Sequence, residues 1–311
     1  MAAVRPSRHI VRFDDSEYKY SDQVNVRQKY AYFRWPQGVM AGGKALKTLP
    51  PDELTSLLAE AGVDEGQGRV MRAVSMMEGG FESVNTYDTG FVSVGFIQFA
   101  SLLQGGGSLG AVLLRLKTEN PVAFQSDFRR YGIDVSETGI LQVAGDLEDS
   151  EGSFANARII EDKRLIAVFQ RAGERCRAFR VAQIRVAMER YFPGNDLVSL
   201  ACSQCVIVGK VGDFVKSEAG LATLMDRKVN TGNIAALMAA AKAVAERIGA
   251  DSIDDLIPYE REIIAMVRYR KDYLADATLA QPVGTSSSQG LNSRSGKGRN
   301  GGRGGGKKSH R

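Results

Sequence analysis

Met71–Ala100 reads MRAVSMMEGGFESVNTYDTGFVSVGFIQFA, and its character changes partway along. Val70, Val74 and Met77 recur at the spacing of one helix face, which predicts a helix over 67–77. Gly79-Gly80 ends that pattern directly after Glu78. Beyond it, Phe91, Val92, Val94, Phe96, Ile97 and Phe99 are residues of strand type. Their alternation is imperfect, and Gly90 and Gly95 punctuate it with turns or close backbone approach. Glu78 is therefore expected at a helix end. Asp88 is expected in a polar turn with Asn85, Thr86 and Thr89.

Two carboxylates held in this way suit hydrolysis of a glycosidic bond. One carboxyl must keep a proton for the leaving oxygen, while the other stays ionised to orient a water or stabilise positive charge on the sugar. Apolar Met76, Met77 and Phe81 flank Glu78 and make it the candidate acid, because a carboxyl among apolar groups holds its proton to higher pH. Asp88, among polar neighbours, is the candidate ionised partner, and Glu82 competes for that role. The plainer alternative is that Glu78 merely ends a helix and Asp88 merely forms a turn.

The segment Glu78-Gly79, continued by Tyr87-Asp88-Thr89-Gly90-Phe91-Val92-Ser93-Val94-Gly95, resembles the active-site stretch of phage-type lysozymes and the wider lysozyme-like superfamily. The resemblance implies Glu78 as general acid, Asp88 as second carboxylate and Ser93, where those enzymes usually carry threonine, as the hydroxyl that holds the attacking water. The next residues, Gly95-Phe96-Ile97-Gln98-Phe99, are similar to the glycine-x-x-Gln segment of lytic transglycosylases and the glycine-phenylalanine segment of chitosanases. Gln98 and Tyr87 are then expected to touch substrate. Asp226-Arg227-Lys228-Val229-Asn230-Thr231-Gly232 resembles a later helix-end segment of chitosanase relatives that closes the substrate groove, which would add Asp226 and Asn230 as contacts; a plain helix cap is the alternative. The implied substrate is a β-1,4-linked amino-sugar polymer, peptidoglycan first and chitosan as rival, cleaved without metal or organic cofactor. The competing reading is a catalytically inactive lysozyme-like module that binds polymer or nucleic acid.

Outward from this stretch, helices predominate. Pro50-Pro51-Asp52-Glu53 starts one, with Leu54, Leu57, Leu58 and Ala61 as its stripe and Gly62 as its stop. Further helices are expected over 109–117, over 162–191 as the longest, over 197–211 carrying Cys202 and Cys205, over 234–248 and over 259–273. Residues 226–232 read as a loop, and 132–155 are ambiguous. The fold class is mainly α, of α+β type, a lysozyme-like domain with a small β-hairpin region. It spans 49–278, after an N-terminal arm (1–48) whose Tyr30, Tyr32, Phe33 and Trp35 either pack on the domain or line a sugar groove. A disordered Gly/Ser-rich basic tail (279–311) follows.

Charge supports this division. The chain has 311 residues and a formal net charge of +5; the seven Lys and Arg residues after Gln281 have no acid among them, so +5 less those seven leaves the body at −2. The tail is expected to touch anionic polymer or nucleic acid weakly, while the body lacks a polyanion-binding surplus. Three cysteines and two histidines make a disulfide framework or zinc site unexpected. Neither a signal peptide nor a membrane span is read from the sequence, which points to synthesis in the cytoplasm and a phage-associated or specialised export route.

Overall fold

The computed structural model describes residues 5–24, 35, 37–76, 78–146 and 148–283. Tyr30, Tyr32, Phe33, Met77 and the tail from residue 284 lie outside the described residues.

The chain opens with an antiparallel hairpin, β1 (Ser7–Arg12) and β2 (Glu17–Asp22), in register from Ser7↔Asp22 to Arg12↔Glu17. Alternation along β2 turns Tyr18, Tyr20 and Asp22 inward. Next, β3 (Met40–Ala41) becomes the edge of a four-stranded sheet ordered β3-β4-β5-β6. Much of the expected N-terminal arm is thus ordered structure, with Val11, Phe13, Tyr18, Tyr20, Val39, Ala41 and Leu46 buried in the main core.

Helix α1 (Pro51–Ala61) begins at Pro51 and ends at Gly62, which adopts the left-handed conformation. Helix α2 (Glu65–Ser75) opens with a capping box, in which the Asp64 carboxylate accepts from Gln67 N and the Gln67 side chain accepts from Asp64 N. It packs on α9 (Glu218–Thr231), where Arg69 donates through both Nε and Nη2 to Glu218.

After α2, strands β4 (Val84–Asn85), β5 (Ser93–Val94) and β6 (Phe99–Ala100) are only two residues each. The expected strand run over 91–99 is mostly tight turn, and Phe91, Gln98 and Leu102 all take positive φ. Buried Phe81, Phe96 and Phe99 hold these turns edge to face, and Gln183 donates to Phe81 O at 3.1 Å.

Helices α3 (Gly107–Glu119) and α4 (Pro121–Asp127) follow. The ambiguous stretch 132–155 resolves into a three-stranded sheet, β7 (Ile133–Val135), β8 (Leu141–Val143) and β9 (Ser150–Glu151), leading into α5 (Ser153–Glu161). The single long helix expected over 162–191 is two, α6 (Lys163–Arg175) and α7 (Arg177–Arg190). Cys176 is extended at the break, and the Arg180 guanidinium takes up the freed carbonyls of Gly173 (2.7 Å) and Glu174. Burial pushes the Cys176 thiol up to about 12, as suits a packing residue.

The helix expected over 197–211 is instead a hairpin, β10 (Leu197–Ala201) and β11 (Val206–Lys210), with Cys202 and Cys205 in its turn. Alternate residues Val198, Leu200 and Ile207 face inward while Leu197, Val206 and Val208 are exposed, a period of two that only a strand satisfies. The supposed loop at 226–232 is the last part of α9, closed by left-handed Gly232. After the one-turn α8 (Val211–Phe214) and α9 come α10 (Ala235–Ile248) and α11 (Glu260–Met266). The last of these stops well short of the expected Tyr273.

Buried side chains fall into two clusters. The larger runs from Val11 to Phe192; the smaller takes in Val198, Leu200, Ile207, Leu237, Val244 and Ile263. Helix α9 feeds both, sending Ala219, Ala222 and Met225 into the first and Leu224 into the second. The segment after α11 returns Tyr273 and Leu279 to the first cluster.

Candidate active site

Glu78 sits just past α2, its N–H donating to Ser75 O at 3.0 Å as the helix closes. Gly79 follows at φ +135, a backbone state that an L side chain seldom adopts. That turn swings the Glu78 side chain onto charge. Its Oε1 accepts from Arg270 Nη2, and the same nitrogen, together with Nε at 3.1 Å, donates to Asp226 Oδ1. Side-chain exposure is 12% for Glu78, 27% for Arg270 and 1% for Asp226. Of the residues expected to cradle Glu78, Met76 is exposed and the Phe81 ring packs against Phe96, while Met77 lies outside the described residues. Among the described residues Glu78 Oε2 takes no hydrogen bond.

Asp226 is the anchor of this array. It is fixed on α9, and Arg270 is fixed to it by two donors, so the guanidinium that faces Glu78 has little freedom. Burial acts to lower the Arg270 pKa, but hydrogen bonding to Asp226 and the charges of Glu78 and Asp226 outweigh it and hold it above the usual arginine value. Tyr273 lies fully buried nearby; burial first, then the Asp226 charge, pushes its hydroxyl well above the ordinary tyrosine range.

The hairpin supplies a second group. Asp88 Oδ1 accepts from Gly90 N at 2.9 Å, which closes the turn. A Cβ on Gly90 would lie 2.4 Å from Ser93 Oγ and 3.1 Å from Asp88 Oδ1, so glycine is what lets the hydroxyl and the carboxylate both sit against this turn. Asp88 is half-buried and Ser93 is 6% exposed. Across the sheet Ser93 is paired with Asn85.

Gln98 ties the hairpin together. Its Oε1 accepts from Asn85 Nδ2 at 2.5 Å, and its Nε2 donates to Ser83 Oγ and to Gly95 O at 2.9 Å. That amide is occupied within the fold, so Gln98 acts here as a brace of the turns. Tyr87 is half-buried beside the Gly38 backbone. Asn230 is exposed and donates to Asp226 O at 2.7 Å within its own helix.

The structure therefore joins Glu78 to Asp226 through Arg270 and sets Asp88 and Ser93 both against Gly90, while Gln98 and Asn230 serve local groups. Arg270 is the participant that sequence reading misses. It falls inside the expected helix 259–273, where an arginine reads as solvated surface. The signal for it is the Arg-Tyr-Arg-Lys run from Arg268 to Lys271, too charged for the buried face of an ending helix.

No family model matches this chain, and neither curated proteins nor solved structures yield a match to it. Among the described residues no helix is long and apolar enough to cross a membrane. Also among them, no group of three or more His, Cys, Asp or Glu is placed to hold a metal ion.

Proposed function

We propose that the protein is a glycoside hydrolase acting on a β-1,4-linked amino-sugar polymer, peptidoglycan in the first place and chitosan as the rival, with Glu78 as general acid. The observation that carries this reading is the Glu78–Arg270–Asp226 array. It fixes a nearly buried carboxylate at a helix end through a partner 192 residues away, an expensive arrangement for a residue that only ends a helix. Arg270 can only donate, so the Oε1 facing it is an acceptor, and Oε2 is the oxygen left to meet the leaving-group oxygen. Asp88 and Ser93 supply the second carboxylate and the hydroxyl that position a water. In this mechanism Asp226 is a positioning residue, acting on Glu78 through Arg270.

The same array also supports a second reading, a non-catalytic polymer-binding module in which the three charges only join parts of the fold. Purified peptidoglycan and chitosan, incubated with wild type and with a folded Glu78→Gln variant, separate the two by mass spectrometry of released fragments. Hydrolysis predicts fragments from wild type and a loss of about 10²- to 10⁴-fold in the variant. Fragment release unchanged in the variant removes Glu78 from the chemistry. No fragments from wild type with either polymer favours the binding module.

A further inference from the structure

The hairpin of β10 and β11 keeps one register from Leu197↔Lys210 through Leu200↔Ile207 to Ala201↔Val206, and the next pair along that ladder is Cys202 with Cys205. Cys202 N donates to Cys205 O at 2.9 Å, so the pairing holds at the tip, where exposed Ser203 and Gln204 make the turn. Side chains alternate along each strand, and Leu200 and Ile207 are buried on the inner face. Cys202 and Cys205, two residues beyond them, therefore share that face. Both are half-buried against the smaller cluster, and both are free thiols.

Directly opposed residues of an antiparallel pair hold their Cα atoms about 4.5–5.5 Å apart, inside the roughly 4.4–6.8 Å that a disulfide spans. Joining these two sulfurs thus asks for side-chain rotation and no movement of the strands. Little opposes it: the Cys205 S–H meets Ala250 O at 3.6 Å, a weak bond that closure gives up. Burial first, then the Cys205 and Glu246 charges, raises the Cys202 thiol above its ordinary value and outweighs Lys242, so the reduced form gains no stability as a thiolate. The same two cysteines line a cavity of about 130 Å³ closed by Glu246, Gly249 and Ala250 at the end of α10 and by Asp251. Lys242 Nζ stands 3.8 Å from Glu246, whereas Asp251 has no ion pair among the described residues, which leaves the rim acidic.

We propose that Cys202 and Cys205 form a dithiol that exchanges with a small neutral or cationic disulfide and closes to a disulfide across the hairpin turn. One cysteine thiolate attacks a sulfur of the small disulfide, which forms a mixed disulfide and expels a small thiolate. The other cysteine thiolate then attacks the protein sulfur of the mixed bond and expels the second. The two protons given up by the cysteines go to the two released thiolates, so the protein is oxidised by two electrons and the small disulfide is reduced to two thiols. The acidic rim selects against an anionic disulfide. Cys176, buried in the larger cluster, takes no part. This site is separate from the Glu78 array and does not depend on hydrolysis.

The test incubates the folded, fully reduced chain with cystamine, a cationic disulfide, quenches with acid and alkylates the remaining thiols for peptide mapping by mass spectrometry. Cys202 and Cys205 should be lost to alkylation together, with the closed form exceeding the mixed disulfide about tenfold or more. Cys202→Ser and Cys205→Ser should each stop at the mixed disulfide, and Glu78→Gln should close as wild type does. Oxidised glutathione, which is anionic, should react at least about threefold more slowly at low salt, each rate being taken relative to that reagent's rate with dithiothreitol. A mixed disulfide that persists in wild type, or disulfide-linked dimers in place of closure, would overturn the dithiol. Equal relative rates for the two reagents would overturn the assigned ligand charge.

Discussion

The two hydrophobic clusters differ in construction. The larger is tied by interlocked aromatic rings: Phe128 alone meets Phe124, Phe169 and Phe179 with centroids 4.9–5.8 Å apart. In the smaller, Ala240, Ala241, Val244 and Ala245 of α10 set the pattern, and Phe214 is the one fully buried aromatic ring among its described residues. Aromatic interlock gives rigid positions, whereas small aliphatic contacts give closeness with less directional constraint. The candidate site draws on both, since Glu78 belongs to the first region and Arg270 arrives from the end of the second. What holds the two together is α9 and the segment that follows α11. A site of this kind thus rests on one stiff wall and one fastened wall.

The largest effect is expected in the cores. Phe128→Ala should cost about 4 kcal/mol and Leu237→Ala about 2–3 kcal/mol, measured by urea unfolding. Hydrogen exchange then tells whether the clusters are independent. If the smaller one opens by itself, Leu237→Ala will speed exchange in α10 and leave α3 protected; if the two open together, both will speed up.

The seam comes next. Arg270→Met leaves Asp226 buried and uncompensated, so a loss of about 3 kcal/mol is expected. Adding Asp226→Leu should return part of that stability without restoring any fragment release, because Glu78 still has no guanidinium to hold it. A double variant as unstable as the sum of its parts would mean that the two side chains do not act as a pair.

The fastening segment offers a smaller effect with a pH signature. Asp276 accepts from Lys271 Nζ at 2.8 Å and from Thr278, and these bonds, the lysine first, hold its carboxyl down at about 2 against the opposing effect of burial. A depressed folded-state value means that the stabilisation is present above the unfolded value near 4 and is lost as pH falls toward 2. Asp276→Asn should therefore cost about 1 kcal/mol at pH 7, after allowance for solvent screening, and almost nothing at pH 2. A difference that stays constant between pH 7 and pH 2 would assign the loss to packing.

The smallest effect is expected where α2 meets α9. Arg69 is 40% exposed, so water and salt screen its pairing with Glu218. A double-mutant cycle on Arg69→Met and Glu218→Gln should give a coupling below any of the losses above, and one that shrinks further in high salt. Arg69 leads the causes that lower the Glu218 pKa, so this coupling too fades as pH falls below the usual glutamate range.

The amino-acid sequence carries much of this design, and what it carries legibly is local. Pro51 with Gly62 delimits α1, and Gly79-Gly80 marks the end of α2, because caps act within one turn. The hairpin at 197–210 is hidden by its continuous apolar run, in which only the exposure of Leu197, Val206 and Val208 reveals a period of two. The break at Cys176 has no proline or glycine at that residue to announce it; Arg180 reaching back to two carbonyls makes it tolerable. At the site, Glu78 and Asp88 stand out by their turns. Asp226 is singled out by resemblance, and Arg270 by no turn or cap, because its role exists only once α9 and the segment after α11 lie side by side. Glu78 and Glu82 show the same limit: four residues apart, one is met by a distant guanidinium and the other by a backbone N–H.

The 192-residue chain distance between Glu78 and Arg270 also orders events in time. A polypeptide is made from its N-terminus at roughly 5–20 residues per second, so α2 emerges roughly 10 to 40 seconds before Arg270 does, and the hairpin turns and the aromatic core follow within that interval. Through that interval Glu78 faces no guanidinium, and Asp226, made later, waits for it as well. The array closes only after both hydrophobic clusters have been supplied with their helices, so the site is assembled last, on walls already standing.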